Sequence, residues 1–210
     1  MNRIRPRTAS VLLLTALVAL TGCSASGPSP STPPAHITGA TAPATAPAKG
    51  AAPVQALPRS LPVRVQVPAA GVDARPILDL GLNADGTVEV PPVADADRIG
   101  WYEKGVTPGE TGPAVLIGHF DTVRGPAVLK DVAKVRIGDE IAVARADGRT
   151  AVFRVRELEQ VDKGAFPTTK VYGNTTRPEL RLITCGGELV DGHRPDNIIL
   201  YAELTAVRAA

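Results

Sequence analysis

The chain contains the run Leu180-Arg181-Leu182-Ile183-Thr184-Cys185-Gly186-Gly187, in which a short, mainly apolar segment ends on a thiol. Apolar runs of about four to eight residues bounded by glycine are typical of buried β-strands. The glycines directly after the cysteine leave its sulfur uncovered. A second run, Ala114–Gly118, is followed by His119. The two runs therefore predict two strands that each carry a reactive group at one end.

A cysteine and a histidine on such strand ends are the parts of a nucleophilic acyl-transfer site. Cys185 is the candidate nucleophile, because a neighbouring cation or donor can stabilise its thiolate. His119 is the candidate partner, since an imidazolium stabilises a thiolate and can then protonate a leaving amine. The alternatives are an inert buried cysteine and a structural histidine. His193 competes with His119, but it lies in a loop beside Gly192.

Arg194 follows the loop 188–193 and is the third candidate. A permanently charged fork of donors near the sulfur would suit a developing oxyanion or a substrate carbonyl. The alternative is a solvated loop arginine. Its place between Cys185 and the last apolar run favours a role in the site.

Residues 1–23 predict an export signal. Three arginines precede the apolar segment Val11–Leu20, which is too short for a comfortable membrane span. Leu20-Thr21-Gly22-Cys23 then resembles a lipobox, in which Cys23 would receive lipid. The alternatives are a plain signal peptide and a short signal-anchor, and each version places the rest of the chain outside the cytoplasm. A free thiol is open to oxidation there, so the retained Cys185 indicates a use.

Residues 24–60 are rich in Pro, Ala and Thr, and this composition predicts a disordered linker that acts as a tether. Residues 61–208 then form one domain of ordinary size. The net charge of +2 is too small to indicate nucleic acid. His36 lies in the linker and the other histidines lack ligand spacing, so neither a metal site nor another cofactor is predicted.

The domain is rich in short apolar runs separated by Gly, Pro and Asp-Gly. Asp147-Gly148 predicts a hairpin turn, and eight strands at this spacing favour a closed barrel or a sandwich. A turn or two of helix is predicted at Ala127–Val132 and around Thr168–Tyr172. The predicted strands are Val63–Val67, Ile77–Leu80, Val88–Val90, Ala114–Gly118, Glu140–Ala144, Ala151–Glu159, Leu180–Thr184 and Ile198–Thr205.

Several segments together resemble an actinobacterial class F (class E/F-like) sortase. They include Trp101-Tyr102, Pro108-Gly109, Gly112–Asp121, Gly138-Asp139, Phe166-Pro167, Val171–Gly173, Leu180–Gly187 and Asp196–Ala202. The resemblance implies a single closed eight-stranded β-barrel with short helices. It also implies an extracytoplasmic cysteine transpeptidase that cuts LPXTG-like sorting signals between Thr and Gly. The acyl group would pass through a thioester to a cell-wall or pilin amine, with hydrolysis when no amine arrives.

By position, the resemblance makes Cys185 the nucleophile and His119 the general acid/base. Arg194 takes the place of the family arginine, although the commonest sortase pattern puts that arginine in the spacing that Asn197 holds here. Thr184 is expected to help line the oxyanion region. Asp121 is expected to orient His119 or the loop after it.

The implied partners are proteins with sorting signals, an amine acceptor and the membrane, through the N-terminal anchor. Sortases more often use a transmembrane signal-anchor than a lipid. The competing hypothesis is a catalytically degenerate lipoprotein whose barrel binds cell-wall or peptide ligands. L,D-transpeptidases are a weaker match, because their His-Gly-Cys arrangement differs from Ile183-Thr184-Cys185.

Overall fold

The structure is a computed structural model that describes residues 36–37, 40–41 and 54–209. The predicted export signal, the lipidation residue Cys23 and most of the predicted linker lie outside the described residues. The described chain is mainly β, as predicted. None of its helices has the length and apolar character that crossing a membrane requires.

The strands of the described ranges are β1 (Ala40–Thr41), β2 (Pro62–Val67), β3 (Val72–Ala74), β4 (Leu78–Leu80), β5 (Ile99–Tyr102), β6 (Gly112–Gly118), β7 (Asp121–Thr122), β8 (Gly125–Pro126), β9 (Glu140–Arg145), β10 (Arg149–Asp162), β11 (Pro178–Gly186) and β12 (Asp196–Ala209). The same ranges contain one α-helix, α1 (Thr168–Tyr172), and the 3-10 helices Pro68–Ala70, Val93–Asp95, Val132–Lys134 and Lys163–Ala165.

One curled sheet dominates the fold, with the strand order β3-β2-β9-β10-β12-β11-β6-β5-β4. Strand β1 pairs with β10 off this path, and β7 and β8 form a separate hairpin. The end strands β3 and β4 have three residues each and do not pair with one another in the described part. The sheet is therefore a half-barrel, and the predicted closed barrel overstates its closure. Short edge strands of this kind also limit pairing with other chains.

Seven of the eight predicted apolar runs form strands, and the run Val88–Val90 does not. Val88 makes only an isolated bridge to Leu82. The predicted helix at Thr168–Tyr172 is confirmed, whereas Ala127–Val132 forms turns that lead into the 3-10 helix Val132–Lys134. Strand β5 was not predicted, because it is four residues long and contains Gly100. That glycine admits Leu80, since an added Cβ would lie 2.4 Å from the leucine side chain.

Strands β6 and β11 are covered on both faces, which explains why their sequences are nearly continuous apolar runs. On one face, Ala114, Leu116, Leu180 and Leu182 join the main core. On the other face, Val115 and Ile183 join a second cluster beneath α1, together with Val171, Ile199 and Tyr201. These two strands therefore form a rigid support for the residues at their ends.

The packed domain begins before Leu61, because residues 54–60 lie against it. The amide of Leu57 donates to the Gly109 carbonyl at 2.8 Å, and the Arg145 guanidinium donates to the Pro58 carbonyl at 2.6 Å. The predicted disorder therefore does not extend to residue 60. Strand β1 lies within the predicted linker as well. Composition could not show these contacts, since each depends on a partner far along the chain.

Candidate active site

His119 and Cys185 come together because β6 and β11 are parallel neighbours. Their register pairs Ile117 with Ile183, so each reactive residue lies two positions beyond a paired residue. Adjacent strands lie about 4.8 Å apart, which makes the backbones of residues 119 and 185 near neighbours. Both side chains are partly exposed, and both line the same cavity. The predicted pair thus shares one site.

The cavity has a volume of about 1170 Å³ and is built from several separate parts of the chain. Strands β6 and β11 contribute apolar side chains, and the loop between β4 and β5 contributes a second part of the lining. The segment around α1 adds the aromatic side chains of Phe166 and Tyr172. The ring of Tyr172 packs edge-on against that of Tyr102 in β5, with 6.3 Å between the ring centres. Charged residues that line it are Arg59, Asp85, Lys104 and Lys163.

Cys185 is a free, partly exposed thiol that also packs against the edge of the main core. It pairs in register with Asn197 of β12, which lines the cavity too. Gly187 then turns the chain with φ of 83°, a left-handed conformation that favours glycine. An added Cβ there would lie 3.0 Å from Asp196 and Pro195. The glycine therefore allows the chain to turn close to these residues just after Cys185.

His119 is held by a backbone group that the sequence did not reveal. Its Nε2 lies 2.6 Å from the carbonyl oxygen of Pro91. A carbonyl oxygen can only accept, so Nε2 carries the hydrogen in this contact. Nothing in the sequence around Pro91 indicated which side chain its carbonyl would meet.

Arg194 is 7% exposed and is engaged by the protein itself. Its Nε donates to both carboxylate oxygens of Asp121 at 3.0 and 3.1 Å, and Nη2 donates to Asp121 at 2.7 Å. Nη1 donates to the Gly187 carbonyl, and the guanidinium lies 4.4 Å from the centre of the Phe120 ring. Arg194 thus ties the chain after His119 to the chain after Cys185. It is not the solvated loop arginine of the alternative interpretation.

The other predicted support residues occupy different positions. Thr184 lines the cavity, and its buried Oγ1 has no hydrogen-bond partner among the described residues. Asp121 accepts from Arg194, which fits the second of the two expected roles, orienting the chain after His119, and not a direct contact with His119. His193 is exposed and closes a tight turn with Val190. Four of the six predicted site residues line the cavity: His119, Thr184, Cys185 and Asn197.

A charge cluster fixes α1, whose first and last residues, Thr168 and Tyr172, line the cavity. Lys170 contacts Glu157 at 2.6 Å and Glu159 at 2.8 Å. Burial alone would raise the pKa of Glu159. The hydrogen bonds from Lys170 and Tyr201 outweigh burial and hold that pKa below its usual value. Burial would likewise lower the pKa of Lys170, but its bonds to the two carboxylates raise it.

Comparison with known proteins gives a consistent result. The sortase-domain profile matches residues 65–205. Among solved structures, Listeria monocytogenes sortase A has a TM-score of 0.53 and 19% identity, over 72% of this chain and 91% of that chain. The SrtA sortase from Actinomyces oris has a TM-score of 0.56 and 21% identity, over 75% of this chain and 90% of that chain.

Sortase C1 from Streptococcus agalactiae has a TM-score of 0.53 and 17% identity, over 70% of each chain. No curated protein sequence matches the chain. At these identities the solved structures show a shared fold. The profile match covers more than half of the sequence, so the chain belongs to the sortase family, whose members are cell-surface cysteine transpeptidases.

Proposed function

We propose that this sortase cleaves LPXTG-like sorting signals between Thr and Gly and transfers the acyl group to a cell-wall or pilin amine. The observation that carries the proposal is the position of His119 and Cys185, at the ends of neighbouring parallel strands and in one cavity. The sequence motifs around both residues support a class F type of specificity. The cavity is of the size expected for a peptide ligand, since pockets for smaller ligands measure about 300–1,000 Å³.

In the first half-reaction, the Cys185 thiolate attacks the threonine carbonyl, and a bond forms between Sγ and the carbonyl carbon. The carbon–nitrogen bond to glycine then breaks, while protonated His119 gives its proton to the leaving amine. A thioester on Cys185 remains. The negative charge that develops on the carbonyl oxygen needs a donor in the cavity.

In the second half-reaction, an acceptor amine attacks the thioester and its proton passes to His119. Cys185 leaves as a thiolate, and a new amide bond joins the substrate to the acceptor. Water in place of the amine would give the hydrolysed acid as a side product. The catalyst returns to its starting protonation state after either reaction.

Thr184 is the candidate donor to the oxyanion, because the residue lines the cavity and its buried Oγ1 lacks a partner in the described structure. An unpaired buried hydroxyl costs free energy, which a substrate oxygen could recover. Arg194 supports the site by holding the chain segments after His119 and Cys185 together. This positioning role differs from the direct contact with a developing oxyanion or a substrate carbonyl that the sequence suggested.

The apolar and aromatic lining suits an extended peptide with apolar side chains. Strand residues Val115 and Ile183 contribute to it, together with Tyr102, Phe166 and Tyr172. Aromatic side chains of this kind provide large contact areas. The lining therefore supports a peptide substrate more directly than a purely polar wall fragment.

Lipidation of Cys23 is the proposed anchor, because the lipobox directly follows the apolar segment of the export signal. A signal-anchor helix is the alternative. Either anchor would hold the domain at the outer face of the membrane by the Pro-rich linker. Radiolabelled fatty acid should enter the wild type and not Cys23→Ser if lipidation is correct.

The central experiment incubates the protein with fluorogenic LPXTG-type peptides, with and without glycine or diaminopimelate-like amines. Mass spectrometry should detect a thioester on Cys185 and an amide product when the amine is present. Cys185→Ala should bind peptide without turnover, and Thr205→Ala, on β12, serves as the active control. Peptide binding by the wild type with neither adduct nor product would support the degenerate lipoprotein instead.

A further inference from the structure

We propose that the carbonyl oxygen of Pro91 orients His119 and fixes its tautomer, so that Nδ1 is the nitrogen that exchanges protons during catalysis. Pro91 is thus a positioning residue that acts through its backbone. The catalytic consequence rests on the proposed function. The tautomer can be measured without any substrate.

The contact itself determines which nitrogen carries hydrogen. Nε2 of His119 lies 2.6 Å from the Pro91 oxygen, a contact at the short end of the distances of about 2.7–3.2 Å that N–H···O hydrogen bonds usually have. Since the oxygen has no hydrogen to give, Nε2 donates. A neutral imidazole has one N–H, so its Nδ1 is then a free acceptor. In the protonated ring, Nδ1–H is the donor that remains available to a leaving amine.

The carbonyl is well placed to act as a fixed orienting group. Pro91 is buried, and Pro92 restricts the backbone of the residue before it to extended conformations. Pro92 in turn precedes the 3-10 helix Val93–Asp95, where the Asp95 amide donates to the Pro92 carbonyl at 2.8 Å. The ring of Pro92 is therefore the direct restraint on the Pro91 carbonyl, and the helix begins only after it.

The loop that leads to Pro91 is also braced by its own hydrogen bonds. The Asn83 amide donates to the Thr87 carbonyl at 2.8 Å, and the Gly81 amide donates to the Glu89 carboxylate at 2.8 Å. The Thr87 amide and hydroxyl both donate to Asp85, at 2.9 and 2.7 Å. A loop with this many internal bonds can hold a carbonyl in one place.

The nearest carboxylate in sequence does not take this role. Asp121 lies two residues after His119, but its oxygens accept from Arg194. In other nucleophile–histidine sites a third group, often a carboxylate, holds the histidine in its working tautomer. In this chain the backbone of the loop between β4 and β5 supplies that group. Because Val88 and Val90 of the same loop line the cavity, the orienting group and part of the ligand wall form one unit.

The direct test is a long-range ¹⁵N–¹H NMR spectrum of the full chain with ¹⁵N-labelled histidine. His36→Gln and His193→Gln assign the signals, because the chain has three histidines. Neutral His119 should be mainly the Nε2–H tautomer. A predominant Nδ1–H tautomer would overturn the proposal.

Pro92→Gly tests the restraint, and Val93→Gly is the control one residue further along. Val93 is exposed and is not part of the cavity lining. Pro92→Gly should give a mixture of the two tautomers of His119. It should also lower kcat/KM about tenfold, which is less than the full contribution of general acid–base catalysis because His119 itself remains. Val93→Gly should change neither the tautomer of His119 nor kcat/KM.

A tautomer that stays unchanged in Pro92→Gly would overturn the role of the proline pair. An equal loss of kcat/KM in both variants, without a change of tautomer, would do the same by showing general loosening of the loop. If the wild type has the expected tautomer but does not process sorting peptides, the proposed function fails while the orientation of His119 stands.

Discussion

The strand pair that carries His119 and Cys185 differs from the loops around it in what holds each in place. Strands β6 and β11 are fixed by burial, and their inward residues Leu116, Leu180 and Leu182 have no exposed surface. The flanking loops are fixed by individual polar contacts. Arg194 with Asp121 is one of these contacts, and Pro91 with His119 is another.

The two regions therefore have different roles. The strands bring the two reactive groups close together, whereas the loops orient them. Many apolar side chains share the work of aligning the two strands, so no single contact decides the register. A loop held by a few polar contacts has less reserve, because each contact carries a larger share of the restraint. Substitutions in the loops should therefore disturb catalysis selectively, and the following variants test that expectation.

Arg194→Met should have the largest effect on stability, because it leaves the Asp121 carboxylate without its buried partner. Loss of one partner of a buried ion pair costs about 3–5 kcal/mol, and the value here should be near the lower limit since Asp121 is partly exposed. The rate of acylation should fall as well. Urea unfolding and thioester formation measure the two effects.

Arg208→Met is the matched control, because Arg208 makes an equally bidentate pair with Glu140, at 2.9 Å for both bonds. That pair is exposed, so its loss should cost less than about 1 kcal/mol and leave acylation unchanged. Equal losses of stability in the two variants would show that the buried pair has no special role.

Thr184→Val should move stability and activity in opposite directions. The new methyl group takes the place of a buried hydroxyl that has no partner in the part of the chain that the structure describes, so stability should rise by up to about 1 kcal/mol. Removing a donor to an oxyanion should lower kcat by about 10- to 100-fold. Thr184→Ser should recover much of the activity. A valine variant with normal kcat would exclude Thr184 as the donor.

Lys170→Met should have the smallest effect, about 0.5–1 kcal/mol at neutral pH, because Lys170 is 41% exposed and its ion pairs are partly screened. Glu159 has a lower pKa in the folded chain than its ordinary value of 4.5. Its contribution is therefore complete above that value and disappears as the pH falls through the folded pKa.

Thermal melts of wild type and Lys170→Met between neutral and acidic pH should accordingly converge on acidification. Lys134→Met, which removes a more exposed pair with Asp131, should show a smaller difference. KM for the sorting peptide should rise in Lys170→Met alone, since α1 carries part of the cavity lining. A constant stability difference across the pH range would argue against the ion pairs.

Much of the strand content could be predicted from the sequence. Long, mainly apolar runs such as those of β6 and β11 can be recognised in the sequence, because burial on two faces favours apolar residues at most positions. Short strands such as β3 and β5 lack that signal. The predicted closed barrel overstated the closure of the sheet. Pairing between the end strands depends on the curvature of the entire sheet, which no single segment of the sequence shows.

The sequence alone determined that a histidine and a cysteine end two buried strands, since hydrophobic patterning is a local property of each segment. Only the tertiary structure decided that these strands are parallel neighbours, that Arg194 binds Asp121, and that Pro91 meets His119. Those contacts join residues 73 and 28 positions apart in the last two cases. The way in which the loops pack on the sheet determines these partners. The sequence next to a polar side chain does not indicate which distant group it will contact.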